Sequence, residues 1–348
     1  MLEAGILADK ILDFLATKVD TNYRVAVIIV GPPGSGKTTI SESVCKEINA
    51  RYQQYLQCQQ SLQPHLIEST ETAIEVEKLC ETIPFVNSVE CSKIKNGCFD
   101  HVENLDYIPH RIKVDNDEHS TVVVGRGGFP NSVRLSSEKP QLNFKDNVGI
   151  AQVVPMDGFH LSRVHLDHFH DSAEAHARRG SPQTFDSNNY LQLSKILAKS
   201  CEFKPEFPSN VETRNGLFEK ISASFSEKMP SIYVPGFDHA LKDPVTDQHC
   251  INAFTRIIVL EGLYLLLNEE NWKEVYPIFE ETQAVLVWRL DLGIEQLEQR
   301  VANRHVASGL APNYEAGVER FRMNDLINAI KIKEQSLNAD DIEVLSSA

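Results

Sequence analysis

The residues most able to do chemistry lie in a short glycine-rich stretch near the start of the chain. It reads Gly-Pro-Pro-Gly-Ser-Gly-Lys-Thr-Thr and fits the phosphate-loop pattern G-x-x-x-x-G-K-[ST]. Glycines let successive backbone N–H groups point at one phosphate, while the lysine supplies a mobile positive charge and the following hydroxyl can ligate Mg²⁺. The sequence therefore predicts a nucleoside triphosphate site formed by Gly31, Pro32, Pro33, Gly34, Ser35, Gly36, Lys37, Thr38 and Thr39.

Two carboxylates follow apolar runs further along the chain. Asp157 comes after residues 150–156, and Glu261 comes after residues 256–260. Transfer of a phosphoryl group to an alcohol needs Mg²⁺ on the phosphates and a group that orients or deprotonates the hydroxyl. Asp157 could instead cap a helix, but the Gly-Phe-His that follows it indicates a loop. We therefore predict a catalytic role for Asp157 and a metal site at Thr38 and Glu261.

The elements that must position these groups are strands alternating with helices. The apolar run before the phosphate loop indicates a buried strand, and Ile40, Val44 and Ile48 recur as one face of a helix. Further strands are predicted at 150–156, 256–260 and 284–290, and helices at 2–18, 189–199, 294–308 and 314–333. This alternation predicts an α/β fold of three layers, the P-loop NTPase fold, with a mainly parallel sheet covered on both faces. Ligands then gather at the carboxyl ends of the strands.

Residues 51–148 break this alternation. The segment is polar and begins with a glutamine-rich stretch, and it contains two short apolar runs, Thr121–Val124 and Ser132–Leu135, that flank a glycine-rich turn. We interpret the segment as a polar insertion after the first helix that follows the phosphate loop, within a single domain over 1–348. The flanked turn predicts a hairpin with Arg126 at a solvent-exposed tip.

Composition excludes several classes of protein. The 348 residues carry a formal net charge of −15, which argues against general binding to nucleic acid or anionic membranes. Seven cysteines without a C-x-x-C pair favour a reducing compartment. No apolar run is long enough for a membrane span, and the acidic N-terminal stretch is unlike a mitochondrial presequence. We expect a cytoplasmic protein, and the sequence does not indicate its oligomeric state.

Three motifs follow the phosphate loop in order: Met156-Asp-Gly-Phe-His-Leu161, Arg178-Arg-Gly-Ser-Pro-Gln-Thr-Phe-Asp186 and Leu260-Glu-Gly-Leu-Tyr264. With the loop, this set resembles the phosphoribulokinase/uridine kinase class of P-loop kinases, which also includes bacterial-type pantothenate kinase. Within that class the chain is most similar to fungal ATP-dependent kinases that carry a long insertion. The resemblance covers most of residues 20–330 outside the insertion.

The resemblance implies an enzyme that uses ATP and Mg²⁺ to phosphorylate a hydroxyl group of a small metabolite, with no nucleic-acid partner. Asp157 matches the base of the class, and Glu261 matches the acid at its Mg²⁺ site. The residues that match its acceptor side are His160, Arg163, Arg178, Arg179, Tyr233, Phe237 and Asp238.

Residues 293–323 match the lid region of the class. Arg300 and Arg304 lie there at i, i+4 spacing, which puts both guanidinium groups on one helical face where they could clamp the transferring phosphoryl group alongside Lys37. The alternative is that each pairs on the surface with Glu295 or Glu298.

Other functions remain open at this point. A protein of kinase fold could act as a nucleotide-binding switch or scaffold without phosphorylating a small molecule. A GTPase lacks support because no N-K-x-D motif is present, and an AAA-type ATPase should show a strand ending in Asp-Glu, whereas the strand at 256–260 is followed by Glu-Gly. Histidines 160, 165, 168 and 170 lie among aspartates, but their spacing matches no regular zinc site, so we interpret them as a polar surface.

Overall fold

The structure is a computed structural model, and it describes residues 3–58, 66–67, 72–86, 99–114, 117–138, 148–207 and 216–346. Its strands are β1 (Val25–Val30), β2 (His110–Val114), β3 (Asp117–Val124), β4 (Val133–Ser136), β5 (Ala151–Pro155), β6 (Ser231–Asp238), β7 (Asp243–Ile251), β8 (Ile257–Gly262), β9 (Val285–Asp291) and β10 (Ile342–Ser346). Its helices are α1 (Ala4–Lys18), α2 (Lys37–Cys58), α3 (Thr72–Cys80), α4 (Arg163–Leu166), α5 (Ser172–Ala177), α6 (Ser187–Glu202), α7 (Leu217–Ser222), α8 (Val275–Glu281), α9 (Ile294–Ala307), α10 (Tyr314–Arg320) and α11 (Leu326–Gln335).

The first sheet is parallel and has the strand order β10-β9-β1-β8-β5. The strand that leads into the phosphate loop is therefore central, with β8 and β9 on either side. In β1 all six residues are buried, as expected for a strand covered on both faces. The predicted strands at 150–156, 256–260 and 284–290 correspond to β5, β8 and β9, so the α/β prediction is confirmed.

Side chains of β1 alternate between two hydrophobic clusters. Val25, Val27 and Ile29 pack with apolar residues of α1 and α2. Ala26, Ile28 and Val30 pack with apolar residues of α6 and α8 and of the second sheet. Each fully buried branched side chain contributes about 1.5–3 kcal/mol relative to exposure, so these two clusters fix the sheet between its covering layers.

The second sheet is antiparallel, with the order β2-β3-β4-β6-β7. The predicted hairpin is present, because β3 and β4 pair with Ser120 opposite Ser136 and Val123 opposite Val133. Strands β2–β4 come from the 51–148 segment, and β4 continues the sheet by pairing with β6. The segment thus shares a sheet with a later part of the chain. Its glutamine-rich stretch lies partly in α2, which extends to Cys58, and residues 59–63 lie outside the described residues.

The expectation that Arg126 sits at an exposed hairpin tip is wrong. Its side chain is buried, and it donates hydrogen bonds to the carbonyls of Val102, Gln183 and Phe185. The turn packs inward because the Gly127 N–H donates to the Asp186 carboxylate at 2.7 Å. Burial lowers the pKa of Arg126 to about 10, so the guanidinium stays charged as an internal crosslink.

The C-terminal part departs from a single helix. The predicted helix at 314–333 is instead α10, a π-helical turn over Phe321–Asp325, and α11. Gly309 follows α9 at φ +70°, the left-handed conformation in which glycine commonly ends a helix. Strand β10, which follows, was not predicted. Among the described residues, no helix is both long and apolar enough to cross a membrane.

Candidate active site

The phosphate loop is held in shape by glycines and by packing against α9. Gly34 and Gly36 have φ of +81° and +91°, a region that L side chains rarely adopt. A Cβ at Gly34 would lie 2.7 Å from Cγ2 of Val301. The loop and α9 therefore lie in direct contact, and a larger residue at this glycine would separate them.

Lys37 is the first residue of α2 and is only 9% exposed. Its ammonium donates to the Pro32 carbonyl at 3.1 Å, so it folds back over the loop. Burial lowers the pKa of Lys37 to about 8; the charges of Glu261 and Asp157 oppose this shift, and Arg304 adds to it. The Lys37 ammonium therefore interacts electrostatically with both predicted carboxylates and with one predicted lid arginine.

Glu261 and Thr38 lie side by side. In the sheet register Glu261 stands opposite Ile29, one residue before the end of β1. The Thr38 hydroxyl lies 3.2 and 3.3 Å from the two Glu261 carboxylate oxygens. Burial raises the pKa of Glu261 to about 7, and Lys37 opposes that rise. A buried carboxylate beside a hydroxyl suits a divalent cation such as Mg²⁺, because hard oxygen ligands of negative charge are what that ion binds.

Asp157 follows β5 in a short 3₁₀ turn, Met156–Phe159. Pro155 pairs with Glu261 in the register, so the two carboxylates come from neighbouring strand ends. The Asp157 side chain is 43% exposed, whereas Glu261 is 5% exposed. Asp157 is therefore accessible to a second substrate, while Glu261 is not.

The second sheet reaches this site through β6. A Cβ at Gly158 would lie 2.0 Å from the Pro235 carbonyl oxygen, so the turn after Asp157 packs directly on the β6 backbone. A glycine is required there by this close approach. The signal was present in the sequence as the Asp-Gly pair, but the partner strand could not be identified from it.

His160 lies next to Asp157 in an aromatic setting. Its Nδ1 is 2.9 Å from the Asp157 carbonyl oxygen and 3.9 Å from Oδ1 of the same residue. The ring centroid lies 4.0 Å from that of Phe185 and 4.9 Å from that of Phe237. Burial lowers the pKa of His160 below its usual value, so the imidazole is neutral at pH 7.

The three predicted acceptor-side arginines bond to protein groups. Asp243 accepts from the Arg163 backbone N–H at 2.8 Å and from Arg179 Nη2 at 2.9 Å. Arg178 instead donates to Asn324 Oδ1 at 2.6 Å and to Asn328 Oδ1 at 3.3 Å. Sequence reasoning did not identify Asp243 as the shared partner, because no motif marks it.

Tyr233 and Asp238 lie on β6 but do not face Asp157 in the described contacts. The Arg134 guanidinium carbon lies 3.7 Å from the Tyr233 ring centroid, on the side of the strand opposite the core residues Ile232 and Val234. Asp238 accepts from the backbone N–H groups of Ala240 and Leu241 at 2.7 and 2.9 Å. That interaction shapes the turn between β6 and β7.

Arg300 and Arg304 lie on α9. A Cβ at Gly34 would lie 3.7 Å from Arg300 Cβ, so Arg300 flanks the phosphate loop. Arg304 is 58% exposed, lies 3.8 Å from Asp325, and acts electrostatically on Lys37. Glu298, one of the alternative partners, instead pairs with Arg322 at 2.8 Å.

The histidine-rich segment holds no metal cluster: within the described ranges, no group of three or more His, Cys, Asp or Glu side chains could bind a metal ion. His165 lies 2.7 Å from the Ser162 hydroxyl, and His176 lies 2.7 Å from Asp167. His168 and His170 are exposed, but His165 is only 5% exposed, so the interpretation of these histidines as a polar surface is wrong for His165.

Comparisons with known proteins bear on this arrangement. Residues 26–107, which include the phosphate loop, α2 and all of β1 except Val25, match the family model described as AAA domain (dynein-related subfamily). The chain is 60% identical over 343 residues to ATP-dependent kinase YFH7 of Lachancea thermotolerans, covering 98% of this chain and 97% of the relative. It is 44% identical over 351 residues to ATP-dependent kinase YFH7 of Saccharomyces cerevisiae strain S288c, covering 98% of both.

The chain is also similar to solved structures, of which two are described here as kinases. One is the crystal structure of YFH7 from Saccharomyces cerevisiae, described as a candidate P-loop-containing kinase with a circular permutation; its TM-score is 0.89 at 42% identity, over 100% of both chains. The other, described as a candidate fructose transport system kinase from Silicibacter, has a TM-score of 0.53 at 19% identity, over 99% of this chain and 100% of the other. The second supports the fold alone.

Proposed function

This chain belongs to the family of fungal ATP-dependent kinases named YFH7, and on that premise we propose that it transfers the γ-phosphoryl group of ATP to a hydroxyl group of a small metabolite. The observation that carries the proposal is the grouping of Lys37, Thr38, Glu261 and Asp157 at adjacent strand ends. A phosphate loop needs only the first two to hold a nucleotide. The added exposed carboxylate supports a second substrate.

In this proposal, Thr38 and Glu261 would hold Mg²⁺, which would neutralise charge on the phosphates. The fit rests on the buried Glu261 carboxylate, whose pKa is raised to about 7 by burial and whose charged form a cation would stabilise. Lys37 bends over the loop and would contact the β- and γ-phosphates. The main contribution of these residues is positioning and electrostatic stabilisation.

Asp157 acts as the base. Its carboxylate accepts the proton of the acceptor hydroxyl as the new O–P bond forms and the bond between the γ-phosphorus and the bridging oxygen of ATP breaks, which releases ADP. Exposure of the Asp157 side chain supports this role over one for Glu261. His160, held neutral beside it, would contact the acceptor through its imidazole.

The remaining roles are those that the resemblance to the phosphoribulokinase/uridine kinase class implies. Arg300 and Arg304 would close over the phosphates as part of a lid at 293–323, supported by the packing of α9 on the loop. Arg163, Arg178 and Arg179 would border the acceptor, and Tyr233 and Asp238 would shape its far side through β6. We treat 1–348 as one kinase domain, with 51–148 as an insertion that joins it through the second sheet.

The test follows the label of γ-³²P-ATP incubated with the protein, Mg²⁺ and a pooled set of hydroxylated metabolites. The proposal predicts labelled organic phosphate that disappears with Asp157→Asn, while that variant still binds ATP. The alternative of a nucleotide-dependent switch or scaffold predicts labelled inorganic phosphate only, at the same rate with and without the pool, and that result would overturn the proposal.

A further inference from the structure

The turn of the β3–β4 hairpin, residues 125–131, lies against the backbone that follows the proposed base. Asn131 is the last residue of this turn, and its side chain is 0% exposed. Its Nδ2 donates to the carbonyl of Gly158 at 2.7 Å and to the carbonyl of His160 at 2.8 Å. A residue of the 51–148 insertion is therefore bonded to the three-residue stretch that comes directly after Asp157.

The two contacts fix the orientation of the Asn131 amide. If its nitrogen and oxygen were exchanged, an oxygen that carries no proton would face two carbonyl oxygens, which only accept hydrogen bonds. Its Oδ1 is buried and has no hydrogen-bond partner among the residues that the structure describes. A Cβ at Gly127 would lie 2.0 Å from that oxygen. Glycine at this position therefore leaves the space that the Asn131 side chain occupies.

Other elements hold the rest of this stretch. The Phe159 carbonyl accepts from the Asp186 N–H at 2.7 Å, and the Leu161 N–H donates to the Thr184 carbonyl at 2.8 Å. Three consecutive carbonyls are thus bonded, and two of the three are bonded to Asn131. A carbonyl that is left without a donor in a protein interior is costly. Loss of the Asn131 amide would therefore release the stretch to seek other partners.

Arg126 of the same turn holds the segment that packs on His160. Its guanidinium donates to the Gln183 carbonyl at 3.1 Å and to the Phe185 carbonyl. The Phe185 ring centroid lies 4.0 Å from that of His160. Two side chains of one turn therefore bond to the two segments that meet at His160.

We propose that Asn131 is a positioning residue for phosphoryl transfer: it fixes the stretch that follows Asp157 and so holds the Asp157 carboxylate toward the acceptor hydroxyl. Asn131 itself would touch neither ATP nor the acceptor, and it would act through the backbone next to Asp157. The inference rests on the proposed function and deepens it, because it gives the 51–148 insertion a part in the acceptor side of the site.

The test compares Asn131→Leu, which removes both donors at similar volume, with Asn188→Leu. Asn188 is 3% exposed, and its Nδ2 also donates to two carbonyls of the insertion, those of Leu105 and Tyr107. Neither bond reaches residues 157–161, so this variant is a matched control.

Both variants are measured with γ-³²P-ATP at saturating concentration, Mg²⁺ and the pooled hydroxylated metabolites. Asn131→Leu should form labelled organic phosphate about 100-fold more slowly than the native chain, since a misplacement of about 1 Å can cost that much. Asn188→Leu should stay near the native rate, and both variants should keep the native Kd for ATP. A native rate in Asn131→Leu, or an equal loss in both variants, would overturn the proposal.

Urea unfolding separates positioning from a purely structural role. Each variant leaves two carbonyls without their donor, so both should lose a similar amount of stability although only Asn131→Leu loses turnover. If Asn131→Leu does not fold, Asn131→Ala and its control Asn188→Ala are compared in the same way. Failure of both Asn131 variants to fold, while both Asn188 variants fold, would show a structural role and overturn the proposal.

Hydrogen exchange distinguishes failure of this inference from failure of the proposed function. Asn131→Leu should speed exchange of the backbone N–H groups of residues 157–161 relative to Asn188→Leu and leave residues 31–38 unchanged. If the native chain forms no organic phosphate but exchange is faster in Asn131→Leu, the proposed function fails while the contact still holds the stretch. Native exchange at residues 157–161 in Asn131→Leu would overturn the inference even in an active kinase.

Discussion

The Thr38 hydroxyl oxygen is almost equidistant from the two carboxylate oxygens of Glu261, at 3.2 and 3.3 Å. This contact joins the first turn of α2 to the end of β8, so the phosphate loop and the neighbouring strand form one site. The hydroxyl can donate only one proton, and the second carboxylate oxygen therefore stays available to a cation. The proposed Mg²⁺ site rests on this pair.

Glu261→Gln should stabilise the fold at alkaline pH in the absence of nucleotide. Burial raises the pKa of Glu261 from 4.5 to about 7, so the folded chain binds more protons than the unfolded chain between these values. Stability then falls as pH rises through that window. At pH 8 we expect the free energy of unfolding of Glu261→Gln to be about 1–3 kcal/mol higher than that of the native chain. Urea unfolding at several pH values measures this difference.

The control is Glu319→Gln, at an exposed position on α10, which should leave the pH dependence unchanged. In the presence of Mg²⁺ and ATP, the native chain should be more stable than Glu261→Gln, because that variant has lost the carboxylate proposed to hold the cation. If Glu261→Gln and the native chain show the same pH dependence of stability, the carboxylate is not destabilised by burial and the explanation is wrong.

Gly158→Ala should displace Asp157, the proposed base. A Cβ there would lie 2.0 Å from the Pro235 carbonyl oxygen. The atoms nearest to that Cβ all belong to the backbone of β6, so no flexible side chain can move aside. We expect a loss of about 2 kcal/mol or more in unfolding free energy, together with lower turnover. Gly293→Ala is the matched control, because a Cβ at Gly293 meets nothing within 4 Å. Equal stability of the two variants would refute the close packing of β6 on this turn.

Arg304→Gln should slow phosphoryl transfer more than it weakens ATP binding. Arg304 acts on Lys37 electrostatically and is 58% exposed, so it has room to move toward the phosphates. We expect kcat to fall by about 10–1,000-fold, with KM for ATP changing far less. Arg51→Gln removes an arginine of α2 that is paired with Glu47 and lies outside the lid, and it should leave kcat near the native value. An unchanged kcat in Arg304→Gln would remove this residue from the proposed lid.

Asp243→Asn should affect the acceptor and not the nucleotide. Its carboxylate holds the Arg163 backbone and the Arg179 guanidinium, and loss of its charge frees both from their shared partner. We expect KM for the acceptor to change by about 10-fold or more, since a charged hydrogen bond contributes about 1.5–3 kcal/mol, while KM for ATP stays the same. Asp20→Asn, which loses only an exposed pair with Lys220, serves as the control. A parallel change in both KM values would indicate general distortion instead.

The parallel sheet could be predicted because its signals are local. A glycine loop between an apolar run and a helical repeat specifies β1 and α2, and the apolar runs that end near Asp157 and Glu261 specify β5 and β8. The site at the carboxyl ends of those strands then follows from parallel topology. The same topology predicts that Lys37, Thr38, Asp157 and Glu261 lie close together.

The second sheet was predicted only in pieces, because its pairing is non-local. The β3–β4 hairpin has a local turn signal, but the pairing of β4 with β6 joins residues almost a hundred positions apart. Strand β7 is polar and half exposed, so it lacks an apolar run. For the same reason the burial of Arg126 was missed: its carbonyl partners lie near residues 102 and 183–185, and no sequence spacing reports such a contact.

The acceptor side shows the limit of motif reasoning. The arginines that match the family motif are present, yet their partners Asp243, Asn324 and Asn328 lie outside the motif. A motif specifies which residue types occur but not which neighbours hold them. Asp243, the first residue of β7, accepts a hydrogen bond from the first residue of α4, and this contact between distant parts of the chain has no sequence signal.

The most direct test of the central claim is ATP consumption by the purified chain with Mg²⁺ across a panel of nucleosides, pantothenate, sugars and sugar phosphates. Lys37→Ala and Asp157→Asn are measured alongside. The kinase account predicts that one acceptor stimulates turnover and that each variant lowers the stimulated rate by about 100-fold or more. Full stimulated turnover in Asp157→Asn would contradict the account.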